Sequence, residues 1–167
     1  MKAIDKYTLR ISNANNSDGI IESADKSTFT INLPNNLKNR GKCYVRVVGG
    51  LIQLKLVGGN SILAANTRVI SLSSNIPMLG YDTETRGGGN TILGTGFILD
   101  DNTDIVELDA PDAGFGFTCP SLPDQITIEK IFIDPTTNKY VLANTNTLDI
   151  PATIELEITF YNDFIDK

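Results

Sequence analysis

Thr153-Ile154-Glu155-Leu156-Glu157-Ile158-Thr159-Phe160-Tyr161 is the stretch that decides the fold class. Ile154, Leu156, Ile158 and Phe160 fall on one face. Thr153, Glu155, Glu157, Thr159 and Tyr161 fall on the other. Successive side chains take opposite faces in a β-strand, so this period of two predicts a strand with one face in a core and one in water.

The same alternation recurs along the chain. Tyr7, Leu9 and Ile11 share a face, with Thr8 and Arg10 opposite. Phe29, Ile31 and Leu33 repeat it, and Pro34 ends that strand because it cannot donate to a ladder. Cys43, Val45 and Val47 open a longer strand whose apolar parity then changes to Ile52, Leu54 and Leu56. A one-residue slip would turn every side chain to the wrong face, so Gly49-Gly50 predicts a bulge or sharp bend. Further strands are expected at 68–73, 92–99, 104–108, 115–119, 125–133 and 140–142. Within 125–133, Ile126 and Ile128 share one face and Ile131 and Ile133 the other, so a second bulge is expected near Glu129-Lys130. The longest loops are expected at 13–26 and 79–91.

About eight to ten strands with turn signals between them predict a sandwich or barrel. No segment carries a helical repeat, which excludes a parallel α/β sheet. No internal repeat at a fixed period is visible, against a propeller or solenoid. Uneven connections suit a Greek-key jelly roll better than a meander. The expectation is all-β: a single jelly-roll β-sandwich of two antiparallel sheets, one domain over residues 1–167.

Composition agrees. Sixteen asparagines, fourteen glycines and seven prolines supply turn residues, and 41% hydrophobic residues suffice for one core. The net charge is -6 and the pI about 4.6. The one local basic cluster, Lys38, Arg40 and Lys42 with Arg46 nearby, reads as a solvated loop before a strand. No basic arm precedes the first strand, so direct binding to nucleic acid is not expected. Residues 1–6 lack the apolar run and cleavage site of a secretory signal. The longest apolar stretch, residues 44–57, is interrupted by Arg46, Gln53 and Lys55, so no membrane span is expected. Cys43 and Cys119 lie in apolar runs and outside any C-x-x-C pair, and are expected to be free thiols.

The chain has no histidine. That removes the Ser-His-Asp and Cys-His triads and the commonest metal ligand. Paired carboxylates could still act on sugars, but there is no tryptophan to form a sugar platform. The acidic run Asp100, Asp101, Asp104, Glu107, Asp109 and Asp112 suggests calcium but does not have EF-hand spacing, and Asp100 to Asp104 reads more simply as a turn between Leu99 and Ile105. Arg86-Gly87-Gly88-Gly89-Asn90 lacks the Gly-Lys-Ser/Thr ending of a phosphate loop and reads as a loop tip. Gly94-Thr95-Gly96 lies inside a strand pattern, where glycine marks close backbone approach. No catalytic residue, cofactor or metal site is expected, and the protein is not expected to be an enzyme.

One loop stands apart. Ser74-Asn75-Ile76-Pro77-Met78-Leu79-Gly80-Tyr81 follows a strand and is rich in apolar groups. Either it exposes an apolar contact patch or it folds over one end of the sandwich as a plug. On the first alternative Ile76, Met78, Leu79 and Tyr81 are the candidate interface residues.

The order of elements resembles a known family. Phe29-Thr30-Ile31-Asn32-Leu33-Pro34, then Tyr44-Val45-Arg46-Val47-Val48, then Val69 through Pro77 are similar to the first half of small single jelly-roll capsid proteins. The closing segments, Ile126 to Asp134 and Ile150 to Ile158, are similar to their closing hairpin. The resemblance is to penton and minor capsid proteins of icosahedral double-stranded DNA viruses: virophages, polinton-like viruses and giant viruses. It implies a virion subunit, assembled in the host cell, that self-associates and contacts neighbouring capsid proteins. The chain is long enough for one jelly roll and has no basic arm, which favours a penton or minor capsid role. A pentamer is expected ahead of a trimer. The rival class is an oligomeric binding module, such as a spike tip or a TNF-like or carbohydrate-binding head.

Overall fold

The computed structural model describes residues 2–13, 20–22, 27–53, 69–78, 91–98, 105–108, 116–134, 137, 139–142 and 151–162. These form eleven strands and a single 3-10 turn at Asn35–Leu37. The strands are β1 (Lys2–Ser12), β2 (Ile20–Glu22), β3 (Thr28–Asn32), β4 (Cys43–Gln53), β5 (Val69–Ser74) and β6 (Thr91–Phe97). They continue as β7 (Ile105–Leu108), β8 (Gly116–Cys119), β9 (Gln125–Asp134), β10 (Lys139–Leu142) and β11 (Ala152–Asn162).

The alternation in β11 does what its sequence predicts. Ile154, Leu156, Ile158 and Phe160 are buried, and the residues between them are half-buried. One such face needs another opposite it, and two antiparallel sheets supply it. The first sheet runs β1-β11-β4-β7, with β8 also on β4; the second runs β2-β3-β9-β5-β6, with β10 also on β9. Their inner faces share one core, to which Leu9, Val45, Leu156, Phe29, Leu72 and Ile126 all belong.

The chain changes sheets after β1, β3, β4, β6, β8 and β10, and the ladders nest. β1 pairs with β11, β3 with β9, β4 with β7 and β8, and β5 with β6. Two further ladders, β11 with β4 and β9 with β5, join these pairs side by side.

Each central strand shares one of its edges between two short partners. β4 meets β8 along Cys43–Arg46 and β7 along Gly50–Gln53. β9 meets β3 along Gln125–Glu129 and β10 along Ile131–Asp134. In β4 the hand-over coincides with the predicted bulge. Leu156 pairs with Val47 and Glu155 with Gly49, so Val48 is the extra residue, just ahead of the two glycines. The slip brings Ile52 back to the core face. Leu54 and Leu56 lie outside the described residues.

The bulge expected at Glu129-Lys130 is absent. The β5–β9 register runs without a break from Ile70↔Phe132 to Ser74↔Ile128. Lys130 therefore keeps the inward parity of Ile126 and Ile128, opposite Leu72. It is fully buried, with its ammonium 5.6 Å from the centre of the Phe29 ring, a cation–π distance. Ile131 takes the outward parity and is buried there, outside the main core.

The expected loop at 13–26 also contains structure. β2 pairs with β3 through Ile20↔Ile31 to Glu22↔Phe29. Asn13 ties the sheets together at this end. Its Oδ1 accepts from the Ala152 amide at 2.7 Å, and its Nδ2 donates to Glu22 Oε1 at 2.8 Å.

Candidate functional site

The segment after β5 is the sequence-derived candidate. Ile76 is 0% exposed and belongs to the core. It offers no area to a partner, which corrects its place among the interface candidates. Met78 is half-buried and packs against the same core. Leu79 and Tyr81 lie outside the described residues. Over Asn75–Met78 the segment is a plug.

Polar groups pin it. Ile76 donates its amide to Ser74 Oγ at 3.2 Å, and its carbonyl accepts from Thr91 Oγ1 at 2.9 Å. Asn75 continues the ladder after β5 has ended: its Nδ2 donates to the Gln125 carbonyl at 3.0 Å, and its Oδ1 accepts from the Thr127 amide at 2.9 Å. A side-chain amide has the donor and acceptor of a peptide group, so one asparagine can stand in for a strand residue. The signal was present in sequence as an Asn directly after an alternating run.

Exposed apolar groups cluster elsewhere. In β7, Val106 and Leu108 face the core, which turns Ile105 and Glu107 outward. Ile105 is 58% exposed. On β4, Leu51 pairs with Glu107 and is 44% exposed, diagonal to Ile105. Val48, the bulge residue, is 46% exposed on the same strand. Phe97, at the end of β6, is 58% exposed.

β6 and β7 are edge strands of different sheets among the described residues, yet they lie against each other. Gly96 makes this possible. A Cβ there would stand 2.0 Å from Val106 Cγ1 and 2.9 Å from the Glu107 carbonyl oxygen. The expected close approach at Gly94-Thr95-Gly96 is thus realised at Gly96. Phe97 shares the parity of Thr95 and faces outward from the second sheet, whereas Ile105 faces outward from the first. The alternation of Val106 and Leu108 was enough to leave Ile105 outside, but the approach of β6 to β7 required the sheet packing.

The outer faces also carry polar pairs. On the first sheet Glu157 takes Lys6 at 2.7 Å and Arg46 Nε at 3.3 Å. The hydrogen bond from Lys6, and then the charge of Arg46, hold the Glu157 carboxyl below the usual glutamate range. Arg40 binds Asp5 and donates to Tyr7 Oη at 2.5 Å. Its guanidinium lies 4.5 Å from the centre of the Phe160 ring. The basic cluster seen in sequence is therefore divided, with Arg40 on Asp5 and Arg46 on Glu157. On the second sheet a ladder of small polar pairs crosses the face: Thr30 with Thr127, Ser73 with Glu129, and Ser71 with Thr95.

Among the described residues no three His, Cys, Asp or Glu side chains gather as a metal site would require. Of the acidic run only Glu107 is described, exposed on β7; Asp100, Asp101, Asp104, Asp109 and Asp112 lie outside, as do residues 86–90. No helix among the described residues is long and apolar enough to cross a membrane. Cys43 and Cys119 are free and buried. No protein-family model matches the chain, and no curated protein matches it.

Proposed function

We propose that this protein is a structural subunit of a virus shell, a penton or minor capsid protein that works by side-to-side association and catalyses no reaction. The observation that carries the proposal is the apolar edge: Ile105 on β7 with Leu51 diagonal to it and Val48 further along β4, and Phe97 on the adjoining edge strand β6, exposed by 44 to 58%. Clustered exposed apolar side chains tend to mark contact sites. The opposite edge of the first sheet is β1, which presents Lys6 and Arg10 outward, whereas β7 presents Glu107. Complementary edges are what a ring of head-to-tail copies needs to close.

The nested ladders support the same proposal. Setting aside the short β2 and β10, the pairing is that of one long antiparallel ribbon with β5–β6 at its tip and β1–β11 at its open end. Rolling such a ribbon into two sheets gives a jelly roll, an architecture shared by viral capsid and lectin domains. Together with the resemblance in sequence, this favours a shell subunit assembled in the host cell and carried in the virion.

Light scattering and native mass measurement over a range of concentration test the proposal. The wild-type protein should form a closed ring, a pentamer ahead of a trimer. The Phe97→Ser, Ile105→Ser double variant should keep its strand spectrum, since exposed positions cost about 0.5 kcal/mol or less, and should lose assembly. A double variant that assembles like wild type, or a wild-type protein monomeric throughout, refutes it. A trimer would favour the rival class, an oligomeric binding head.

A further inference from the structure

Cys43 and Cys119 stand directly opposite each other in the β4–β8 ladder. Opposite residues in an antiparallel pair have Cα atoms about 4.5 or 5.5 Å apart, according to the type of pair. Both values lie within the span of about 4.4–6.8 Å that a disulfide bridges. The two side chains share the inner face, both 0% exposed. We propose that Cys43 and Cys119 form a cross-strand dithiol that closes to a disulfide by exchange with a low-molecular-weight disulfide.

The chemistry assigns the two sulfurs different parts. Cys119 Sγ lies 3.2 Å from the Ser121 carbonyl, on a four-residue strand whose single partner among the described residues is β4. A short edge strand opens locally at lower cost than a central one, so Cys119 is the sulfur that meets solvent first. The Cys43 S–H also favours the Cys119 thiolate and lowers its pKa, whereas the Cys43 pKa is raised. The Cys119 thiolate attacks one sulfur of the small disulfide, whose S–S bond breaks and releases one thiolate. Cys43 then loses its proton and attacks Cys119 Sγ in the mixed disulfide, releasing the second thiolate. Two protein thiols give up two electrons and two protons, and the small disulfide becomes two thiols.

The bond would join strands 76 positions apart, from Cys43 to Cys119, and enclose β5, β6 and β7. It would fasten β8 to β4 ahead of the Val48 bulge, where β4 passes from β8 to β7. The reduced and oxidised forms then differ in how readily β8 opens.

The test is to treat folded, reduced protein with oxidised glutathione, quench with acid, alkylate in denaturant and measure the intact mass and peptides. Wild type should lose about 2 Da, two hydrogens, and yield a Cys43–Cys119 peptide pair. The unfolding midpoint in guanidinium should rise and return on reduction. Cys43→Ser should stop at glutathione bound to Cys119, and Cys43→Ala should do the same if the serine variant loses its strand spectrum. Two thiols that remain alkylatable in the folded protein, or a disulfide seen only after unfolding, overturn the proposal.

Discussion

Gly96→Ala tests the approach of β6 to β7 on which the apolar edge depends. The new methyl would meet Val106 Cγ1 at 2.0 Å, Glu107 O at 2.9 Å and Leu108 Cδ2 at 3.5 Å. Val106 can turn; the Glu107 carbonyl belongs to a strand already paired with β4 and yields only if β7 shifts. Alanine in place of glycine restricts the unfolded chain, a gain of about 0.4–1 kcal/mol where the site has room. Forcing a carbon into a filled site costs about 1–3 kcal/mol, and a displaced ladder bond adds about 1 more. The net expectation is a loss of about 1–3.6 kcal/mol, or about 2–14 °C in melting temperature at this size. Gly49→Ala is the control. Nothing lies within 4 Å of its added Cβ, so it should be neutral or slightly stabilising. Gly50→Ala, which meets the Leu108 side chain at 2.7 Å and the Thr153 carbonyl at 3.0 Å, should fall between them. Thermal and guanidinium unfolding followed by circular dichroism would rank the three. A Gly96→Ala protein as stable as Gly49→Ala would mean that β6 and β7 do not touch, and the shared edge would go with them.

Two further expectations follow from side chains. Asn75→Ala removes two hydrogen bonds to β9 and should cost about 1–2 kcal/mol in guanidinium unfolding; Asn75→Asp should cost more, because a carboxylate would face the Gln125 carbonyl. Glu157→Gln should cost about 0.2–1 kcal/mol near neutral pH, since Lys6 is well exposed. The Glu157 pKa is lowered on folding, so its contribution is complete above the ordinary glutamate value of about 4.3 and fades as pH falls below it. Wild type and Glu157→Gln should therefore converge in unfolding midpoint in that acid range, and a gap that persists there would count against the ion pair.

What could be read in sequence was whatever one strand determines by itself. The alternations at Tyr7–Ile11, Phe29–Leu33 and Thr153–Tyr161 needed only the period of two, and the Gly49-Gly50 slip needed only parity. Lys130 shows where such pattern reading fails. A lysine between Ile128 and Ile131 looks like the point where a strand turns over, because apolar residues lie on both sides of it. The real cause is that β9 has burial on both faces, with Ile126 and Ile128 inward and Ile131 outward. A strand covered on both sides loses its alternation, so parity no longer reports register. The apolar loop failed for a related reason. Ile76 and Met78 looked like contact residues because what pins the segment comes from elsewhere: Ser74 and Thr91 on Ile76, and the β9 backbone on Asn75. The apolar edge was hidden because β6 and β7 are brought together only by the packing of two sheets.

The division of the outer edge of β4 between β7 and β8 also bears on how copies of this chain can meet. Each of these strands has four residues, about 13 Å of extended backbone, and the Val48 bulge sets them out of line. A template that short cannot recruit a stranger's backbone into a growing sheet. The long edge at β1 is guarded differently, by a register slip between Ala3 and Asp5 and by outward Lys6 and Arg10. Crowded copies are thereby steered away from fibre growth, which adds strands without end. On the proposed function, contact is then left to side chains, which can fit one neighbour at one angle and stop.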